Sequence, residues 1–225
     1  MATPKNEETI VDVQQAYAKA DHFFNNNRKA FLVAGGAVLA VVLGIFGFNY
    51  YSASQNDEAK ELIWKAEYYF EKDSLDKAIK GDGQYLGFEY IANNYGSTKT
   101  GQLAEYYLGL CFMAKGEFQT AIEHLEKCDF NDEVIGAIAK GNIGDAYVEL
   151  GNVEKGISYF EEAAEHSENS FTCPLYLQKA ALAYEKLGKY DEAIKAYTRI
   201  KEEFPNSAEG REVEKYIARA ESFKK

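Results

Sequence analysis

Residues 30–51 constrain this chain more than any other stretch. They read AFLVAGGAVLAVVLGIFGFNYY, they carry no charge, and no charged residue follows until Asp57. About 20 apolar residues carry a helix across a hydrocarbon core of ~30 Å, and this run meets that length with a little slack for tilt. Eleven of its residues are Leu, Ile, Val or Phe. At roughly −0.3 to −0.6 kcal/mol each, they favour insertion by about 3 to 7 kcal/mol. The run reads as a single transmembrane helix. It divides the chain into a tail of residues 1–29, an anchor of residues 30–51 and a soluble domain of residues 52–225. Ser52-Ala53-Ser54 has the small residues of a cleavage site, but the polar region ahead of the run is 29 residues long. The run itself also exceeds the ~7–15 apolar residues of a signal peptide. An uncleaved anchor is the expectation.

Charge is unevenly placed. Up to residue 51, Lys5, Lys19, Arg28 and Lys29 balance Glu7, Glu8, Asp12 and Asp21, so the whole net charge of −11 falls on the soluble domain. Such a surface repels nucleic acid and anionic lipid, and nucleic-acid binding is excluded on that ground. Arg28 and Lys29 abut the apolar run, whereas the far side has no basic residue until Lys60. The positive-inside rule then puts the tail in the cytoplasm and the domain outside it. In a bacterium this is a single-pass inner-membrane protein with a periplasmic domain. The three cysteines, Cys111, Cys128 and Cys173, are an odd number for an oxidising compartment. Core-like positions favour buried free thiols for Cys111 and Cys128; one disulfide with a spare thiol stays open, and the spacing does not choose a pair.

In the tail, Ile10, Val13, Tyr17, Ala20 and Phe24 follow helical spacing, with Thr9 as a candidate cap. They place one apolar stripe on a helix. It suits either the inner membrane surface or a cytoplasmic partner; the lack of a Lys/Arg-rich polar face keeps the partner reading open. The triple Asn25–Asn27 ends the pattern. Within the anchor, Gly36, Ala40 and Gly44 recur every four residues, with Gly47 beyond. That spacing permits close approach of a second membrane helix.

The soluble domain repeats. Leu108-Gly109, Ile143-Gly144 and Ala180-Ala181 each precede a turn glycine, Gly116, Gly151 or Gly188. Phe118, Val153 or Tyr190 follows two residues later, then Ala121-Ile122, Gly156-Ile157 or Ala193-Ile194. Leu125, Phe160 and Tyr197 come next, and Cys128, Ala163 and Ile200 close each unit. A period near 34 residues with this pattern is the signature of tetratricopeptide repeats. Each unit is a pair of antiparallel helices that cannot bury its apolar side alone, so stacking makes the core. A degenerate first unit runs from Glu58, with Leu75 and Ala78-Ile79 echoing a second helix. Gly81-Asp82-Gly83 then interrupts it, and helix is expected again from about Leu86. No acidic set at EF-hand spacing surrounds Asp82, so the interruption reads as a turn. A charged helix, Ala208 to Phe223, is expected to cap the stack with Val213, Ile217 and Ala220 inward. The fold class is all-α: one transmembrane helix, then an α-solenoid of about four units with a C-terminal capping helix.

No catalytic constellation stands out. His22, His124 and His166 are scattered and give no metal-ligand spacing. There is no phosphate-binding glycine loop, nucleophile elbow or Cys-x-x-Cys. No enzyme, cofactor, metal or small-molecule substrate is expected. Binding remains, on the face formed by the first helix of each pair. Its candidate residues are Tyr106, Leu110 and Met113, then Ile138, Asn142 and Asp145, then Leu175, Lys179 and Leu182. That floor is mostly apolar with acidic edges and suits extended polypeptide. Repeats that grip a C-terminal carboxylate use a Lys/Asn/Arg set; here only Asn142 and Lys179 sit at comparable positions, and Tyr106 and Leu110 replace polar members.

The layout resembles the YfgM-type proteins, ancillary subunits of the bacterial SecYEG translocon. The shared features are the short tail, Asn25-Asn26-Asn27-Arg28-Lys29 before a Gly-rich anchor, the aromatic exit Asn49-Tyr50-Tyr51 and the repeat domain. The resemblance implies a non-catalytic adaptor that binds Sec translocon subunits and hands emerging chains to periplasmic chaperones. The alternative is a scaffold subunit of another envelope complex, for outer-membrane assembly, secretion or division.

Overall fold

The structure is a computed structural model that describes residues 5–224; of residues 5–14 and Phe24 only the backbone is described. Two compact units divide between Ala53 and Ser54.

The first unit holds α1 (Lys5–Asn26) and the opening part of α2 (Arg28–Glu71). α1 begins at Lys5, which places Thr9 inside the helix and not at its cap. Asn27 stands outside both helices, and its side-chain amide donates to the carbonyl of Phe23 at 2.9 Å. The side chains of Ile10, Val13 and Phe24 lie outside the described residues, while Tyr17 is exposed. α2 is the one helix among the described residues long and apolar enough to cross a membrane, with a mean hydropathy of 2.5 over 18 residues. Its apolar side chains, Val33, Leu39 and Phe46 among them, are exposed. A Cβ added at Gly36, Gly44 or Gly47 meets nothing within 4 Å, so the small-residue stripe is open surface. Helix continues without a break through residues 52–57. The apolar run predicts a helix ending at residue 51 and a separate one from Glu58, but SASQND contains no Gly or Pro, the residues that end a helix most effectively.

The second unit is a stack of helix pairs. Residues of α2 beyond Ser54 form the first helix of the first pair. α3 (Leu75–Lys80) and α4 (Phe88–Tyr95) together form its second. Then come α5 (Lys99–Ala114) with α6 (Phe118–Leu125), α7 (Ile135–Glu149) with α8 (Val153–His166), and α9 (Thr172–Lys186) with α10 (Tyr190–Glu203). The capping helix α11 (Val213–Phe223) closes the stack. It starts five residues later than the pattern suggested. Residues 207–212 form turns in which the Ser207 hydroxyl accepts from the Gly210 amide at 2.9 Å. Val213 and Ala220 are buried as expected.

The small residues at fixed positions set the helix spacing. A side chain at Gly144 would meet the Phe160 ring at 2.7 Å and the Gly156 carbonyl at 3.0 Å. One at Gly109 would meet Leu125 at 2.5 Å. Aromatic rings then join neighbouring elements: Tyr147 stacks on Tyr159 at 5.5 Å, Phe160 on Tyr176 at 6.4 Å, and Tyr197 on Tyr216 at 5.5 Å. The core runs through the stack from Ala59 and Ile63 to Ile200 and Val213.

Each pair turns by the same two hydrogen bonds. Gly116 donates to Met113 and Glu117 to Phe112; Gly151 to Val148 and Asn152 to Tyr147; Gly188 to Glu185 and Lys189 to Tyr184. These are the paired bonds of a helix end with a left-handed residue, and the three glycines have φ of 75°, 80° and 71°. The first helix pair of the stack makes the same two bonds, Asp73 to Phe70 and Ser74 to Tyr69. There the left-handed residue is Asp73, at φ 54°, the one non-glycine with positive φ among the described residues.

That register explains the split second helix. Leu75 and Phe88 are thirteen residues apart where Phe118 and Leu125 are seven apart. The extra residues form a loop closed by an antiparallel bridge between Gly81 and Leu86. Asp82 organises it, accepting from the amides of Gln84 and Tyr85 and from the Tyr69 hydroxyl. Helix resumes at Phe88, two residues later than the pattern suggested.

Candidate functional site: the face of the first helices

α5 touches α7 and α7 touches α9, and any contact of α6 with α8 or of α8 with α10 is weaker among the described residues. Elements that approach one another line the inside of a curve. The first helices of the pairs therefore form the inner face of this unit. All nine residues expected there lie on α5, α7 and α9, and all nine are partly or fully exposed. Leu182 is the most open, at 42%. Tyr106 and Met113 also pack against the core cluster around Ile122 and Ile143, and Leu175 against the next one. Each thus serves the core along one edge and solvent along the other.

The polar members are tied to one another. Lys179 Nζ lies 2.6 and 2.9 Å from the two Asp145 carboxylate oxygens, across from α9 to α7. The same ammonium stands 5.6 Å from the Phe160 ring centroid and 5.8 Å from that of Tyr176, close enough for cation–π attraction. The Asn142 amide approaches the Tyr106 hydroxyl, α7 to α5, at 3.5 Å. Burial raises the Tyr106 phenol, and the Asn142 contact opposes that only in part. This arrangement does not leave a cation free for a peptide carboxylate.

The repeat register also runs into the first pair, which the turn glycines do not announce. Ala66 precedes Asp73 by seven residues, as Gly109, Gly144 and Ala181 precede their turn glycines. In that register Trp64 aligns with Tyr107, Asn142 and Lys179, and Glu67 aligns with Leu110, Asp145 and Leu182. Trp64, the sole tryptophan of the chain, is 51% exposed. Burial, with Glu71 adding repulsion, pushes the Glu67 carboxyl up. The spacing of Ala66 and Asp73 was the available signal, hidden because the turn residue is not glycine.

Two cavities lie elsewhere. One of about 260 Å³ is lined by Glu161, Leu177, Tyr184 and Arg199, and one of about 360 Å³ by Cys128, Phe130, Tyr159 and His166. Neither includes any of the nine residues. Among the described residues no group of His, Cys, Asp and Glu is placed to hold a metal ion. The cysteines are free thiols. Burial pushes those of Cys111 and Cys128 up to about 12, which makes them poor nucleophiles at neutral pH.

Comparison with known proteins fits this geometry. A family model described as a tetratricopeptide repeat-like domain matches residues 21–216, a span that includes the apolar run. An uncharacterised protein of Aquifex aeolicus (strain VF5) is 30% identical over 175 residues, 76% of this chain and 85% of its own. Among solved structures, the MamA protein superposes with a TM-score of 0.53 at 16% identity, over 76% of this chain and 85% of that one. The tetratricopeptide-like repeats of a Podosopora anserina putative kinesin light chain give 0.52 at 16% identity, with the same two coverages. Both show a shared fold.

Proposed function

The chain belongs to the tetratricopeptide repeat-like domain family, and from that premise we propose that it is a non-catalytic, membrane-anchored adaptor that binds polypeptide. The observation that carries the reading is the inner face. Apolar side chains of three neighbouring helices stand part-exposed there, and the polar groups between them are already paired. A surface built that way offers shape and apolar area and no reactive group.

Exposed apolar side chains along residues 30–51 support the anchor. With Arg28 and Lys29 at its start, the positive-inside rule supports a cytoplasmic tail and a periplasmic domain in a bacterial inner membrane. Within that frame the finer reading is association with the Sec translocon, through emerging chains or periplasmic chaperones on the inner face. The stripe Gly36, Ala40, Gly44 and Gly47 is the proposed membrane-helix contact, and the tail stripe with Tyr17 the cytoplasmic one.

Affinity purification of the full chain from native membranes, followed by mass spectrometry, tests this. Translocon subunits in the eluate support the finer reading. Recovery of another envelope complex in their place moves the assignment to a scaffold of that complex. Replacing Gly36, Ala40 and Gly44 together by Leu keeps insertion favourable and blocks close helix approach. Unchanged partner recovery in that variant removes the anchor from the contact.

A further inference from the structure

We propose that the face of α2 that opens the stack binds an anionic saccharide chain, stacked on Trp64 and Tyr68 and held by Lys65, Lys72 and Lys77. This site lies apart from the nine inner-face residues and does not rest on the polypeptide-binding reading.

The repeat register exposes the face. With Ala66 set beside Gly109, Gly144 and Ala181, Lys65 takes the place of Leu108, Ile143 and Ala180. Tyr68 takes that of Cys111, Ala146 and Ala183, and Glu61 that of Ala104 and Ala139. In the later repeats every one of these positions is buried. There it packs into core shared with the preceding pair. α2 opens the stack, and on it Trp64 is 51% and Tyr68 44% exposed. A terminal repeat needs a polar face, which accounts for Glu61 and Lys65 but not for two open aromatic rings. A helix pair of another protein does not suit this face, because it would take Glu61 and Lys65 out of water without partners.

The lysines turn to rings. Lys65 Nζ stands 5.3 Å from the Trp64 ring centroid, 4.6 Å from that of Tyr68, 5.2 Å from Tyr69 and 5.1 Å from Tyr85. Lys72 Nζ lies 5.9 Å from Tyr68 and Lys77 Nζ 5.6 Å from Tyr69. The lysine ion pairs among the described residues include none of these three. Nearby acids are engaged or turned away. Asp82 accepts the Tyr69 hydroxyl, and Asp76 meets Lys115. Asp73 belongs to the turn that ends α2, and Glu67 and Glu71 stand at the register of Leu110 and Ala114, on the inner-face side. Glu61 alone shares the arc of Trp64, Lys65 and Tyr68, so positive charge is in excess here. Screening over about 8 Å at physiological salt confines the net −11 of the domain to its other surfaces.

The rings are set in advance. The loop at Gly81–Leu86 supplies Tyr85, whose ring meets Trp64 edge-on at 5.6 Å. Asp82 holds that loop through the Tyr69 hydroxyl at 2.6 Å and the Tyr85 amide at 2.8 Å. Little ordering therefore remains to be done on binding. A pyranose ring presents a flat face of C–H bonds that packs on an aromatic face, and a uronate carboxylate pairs with a lysine ammonium. Such a ligand keeps its hydroxyls and the charges of Glu61 and Lys65 in contact with water.

Trp64, the sole tryptophan, reports directly on the site. The test titrates the full chain, in a detergent without a sugar headgroup, with tetragalacturonate. Maltotetraose supplies pyranose rings without charge, and tetraglutamate supplies carboxylates without rings. Tetragalacturonate should shift Trp64 emission saturably, with Kd rising as salt is added. The two controls should bind at least about fivefold more weakly, as should tetragalacturonate to Tyr68→Ala or Lys65→Gln. Joint replacement of Lys72 and Lys77 by Gln should flatten the salt dependence, and Lys195→Gln, on α10, should bind as the parent does. Equal affinity for tetraglutamate overturns the proposal in favour of an acidic polypeptide, and equal affinity for maltotetraose removes the lysines from it. Absence of any saturable change, by emission and by calorimetry, with helicity intact by circular dichroism, overturns it outright and leaves the inner-face reading untouched.

Discussion

The Lys179 ammonium of α9 lies within 2.9 Å of both carboxylate oxygens of Asp145 on α7, so two neighbouring repeats are bonded across the face of the first helices. Each side chain is about one-third exposed, which limits the pair to roughly 0.5–1 kcal/mol of stability. It also neutralises the cation in the middle of that face. Asp145→Asn should lower the urea midpoint of the full chain slightly, by the equivalent of about 0.5 kcal/mol. It should also release Lys179, so that peptides with a free C-terminal carboxylate bind the variant more tightly than their amides do. Fluorescence titration of both peptide forms against parent and variant checks this.

The four turns differ in one residue, and that difference sets a stability prediction. Asp73 holds φ 54° where Gly116, Gly151 and Gly188 hold 71–80°. A non-glycine residue in the left-handed region costs roughly 1 kcal/mol, less for Asp, against the entropy glycine loses on folding. Asp73→Gly should therefore be neutral or stabilising by up to about 0.5 kcal/mol. Gly116→Ala should destabilise by about 1 kcal/mol, although open space surrounds the added methyl. Thermal melts of the two variants in the same detergent decide it: Gly116→Ala melting at the parent temperature contradicts the prediction.

The repeat was legible because it is written in small residues, and small residues are where helices touch. Gly109, Gly144 and Gly156 announce contacts that the structure shows at the limit of atomic size, and all nine inner-face residues follow from that register. The first helix pair was legible only in part. Its turn uses Asp73, and its second helix is split by the loop at Gly81–Leu86, so neither the turn signal nor the seven-residue spacing from Leu75 survives. Trp64 and Glu67 were missed for that reason. The pairing of Lys179 with Asp145 was also beyond sequence: the two lie 34 residues apart, and only stacking brings them together. The late start of α11 depends on turns at 207–212 held by Ser207, and no periodicity records those.

The loop at Gly81–Leu86 is fastened by one carboxylate. Asp82 accepts the Tyr69 hydroxyl at 2.6 Å and the Tyr85 amide at 2.8 Å, and Tyr85 packs edge-on against Trp64 at 5.6 Å. The Tyr69 bond, then the Tyr85 amide, push the Asp82 carboxyl down to about 2, and Asp82 in turn pushes the Tyr69 phenol up to about 12. A depressed folded value means that the fastening is fully present above the ordinary carboxylate range and is lost as pH falls through about 2. Carboxyl NMR should place the Asp82 midpoint near 2, and a midpoint near 4 contradicts the geometry. Asp82→Asn or Tyr69→Phe should shift Trp64 emission at neutral pH, since the sole tryptophan reports directly on Tyr85.

Glu105 is the buried charge of the solenoid, 8% exposed. His124 Nδ1 meets one of its oxygens at 2.6 Å and Lys127 Nζ the other at 3.2 Å, which joins α5 to the α6 end of the same repeat. Burial pushes the Glu105 carboxyl up, but the hydrogen bonds from His124 and Lys127, with the Lys127 charge, pull harder and hold it below its ordinary value. The His124 ring is itself fixed by stacking on Phe112 at 5.2 Å. Removing it leaves the carboxylate to Lys127, a side chain 55% exposed to water. His124→Ala should therefore cost roughly 1–3 kcal/mol, more than an exposed histidine would. The sign with pH follows from the lowered carboxyl: its stabilisation is complete above the ordinary glutamate range and disappears as pH falls through the folded value. Glu105→Gln removes that titration while keeping shape and polarity. Its melting temperature should lie below the parent's at pH 7, and the two should converge as the pH is lowered toward 3. A constant gap across that range would show that Glu105 contributes packing and not charge.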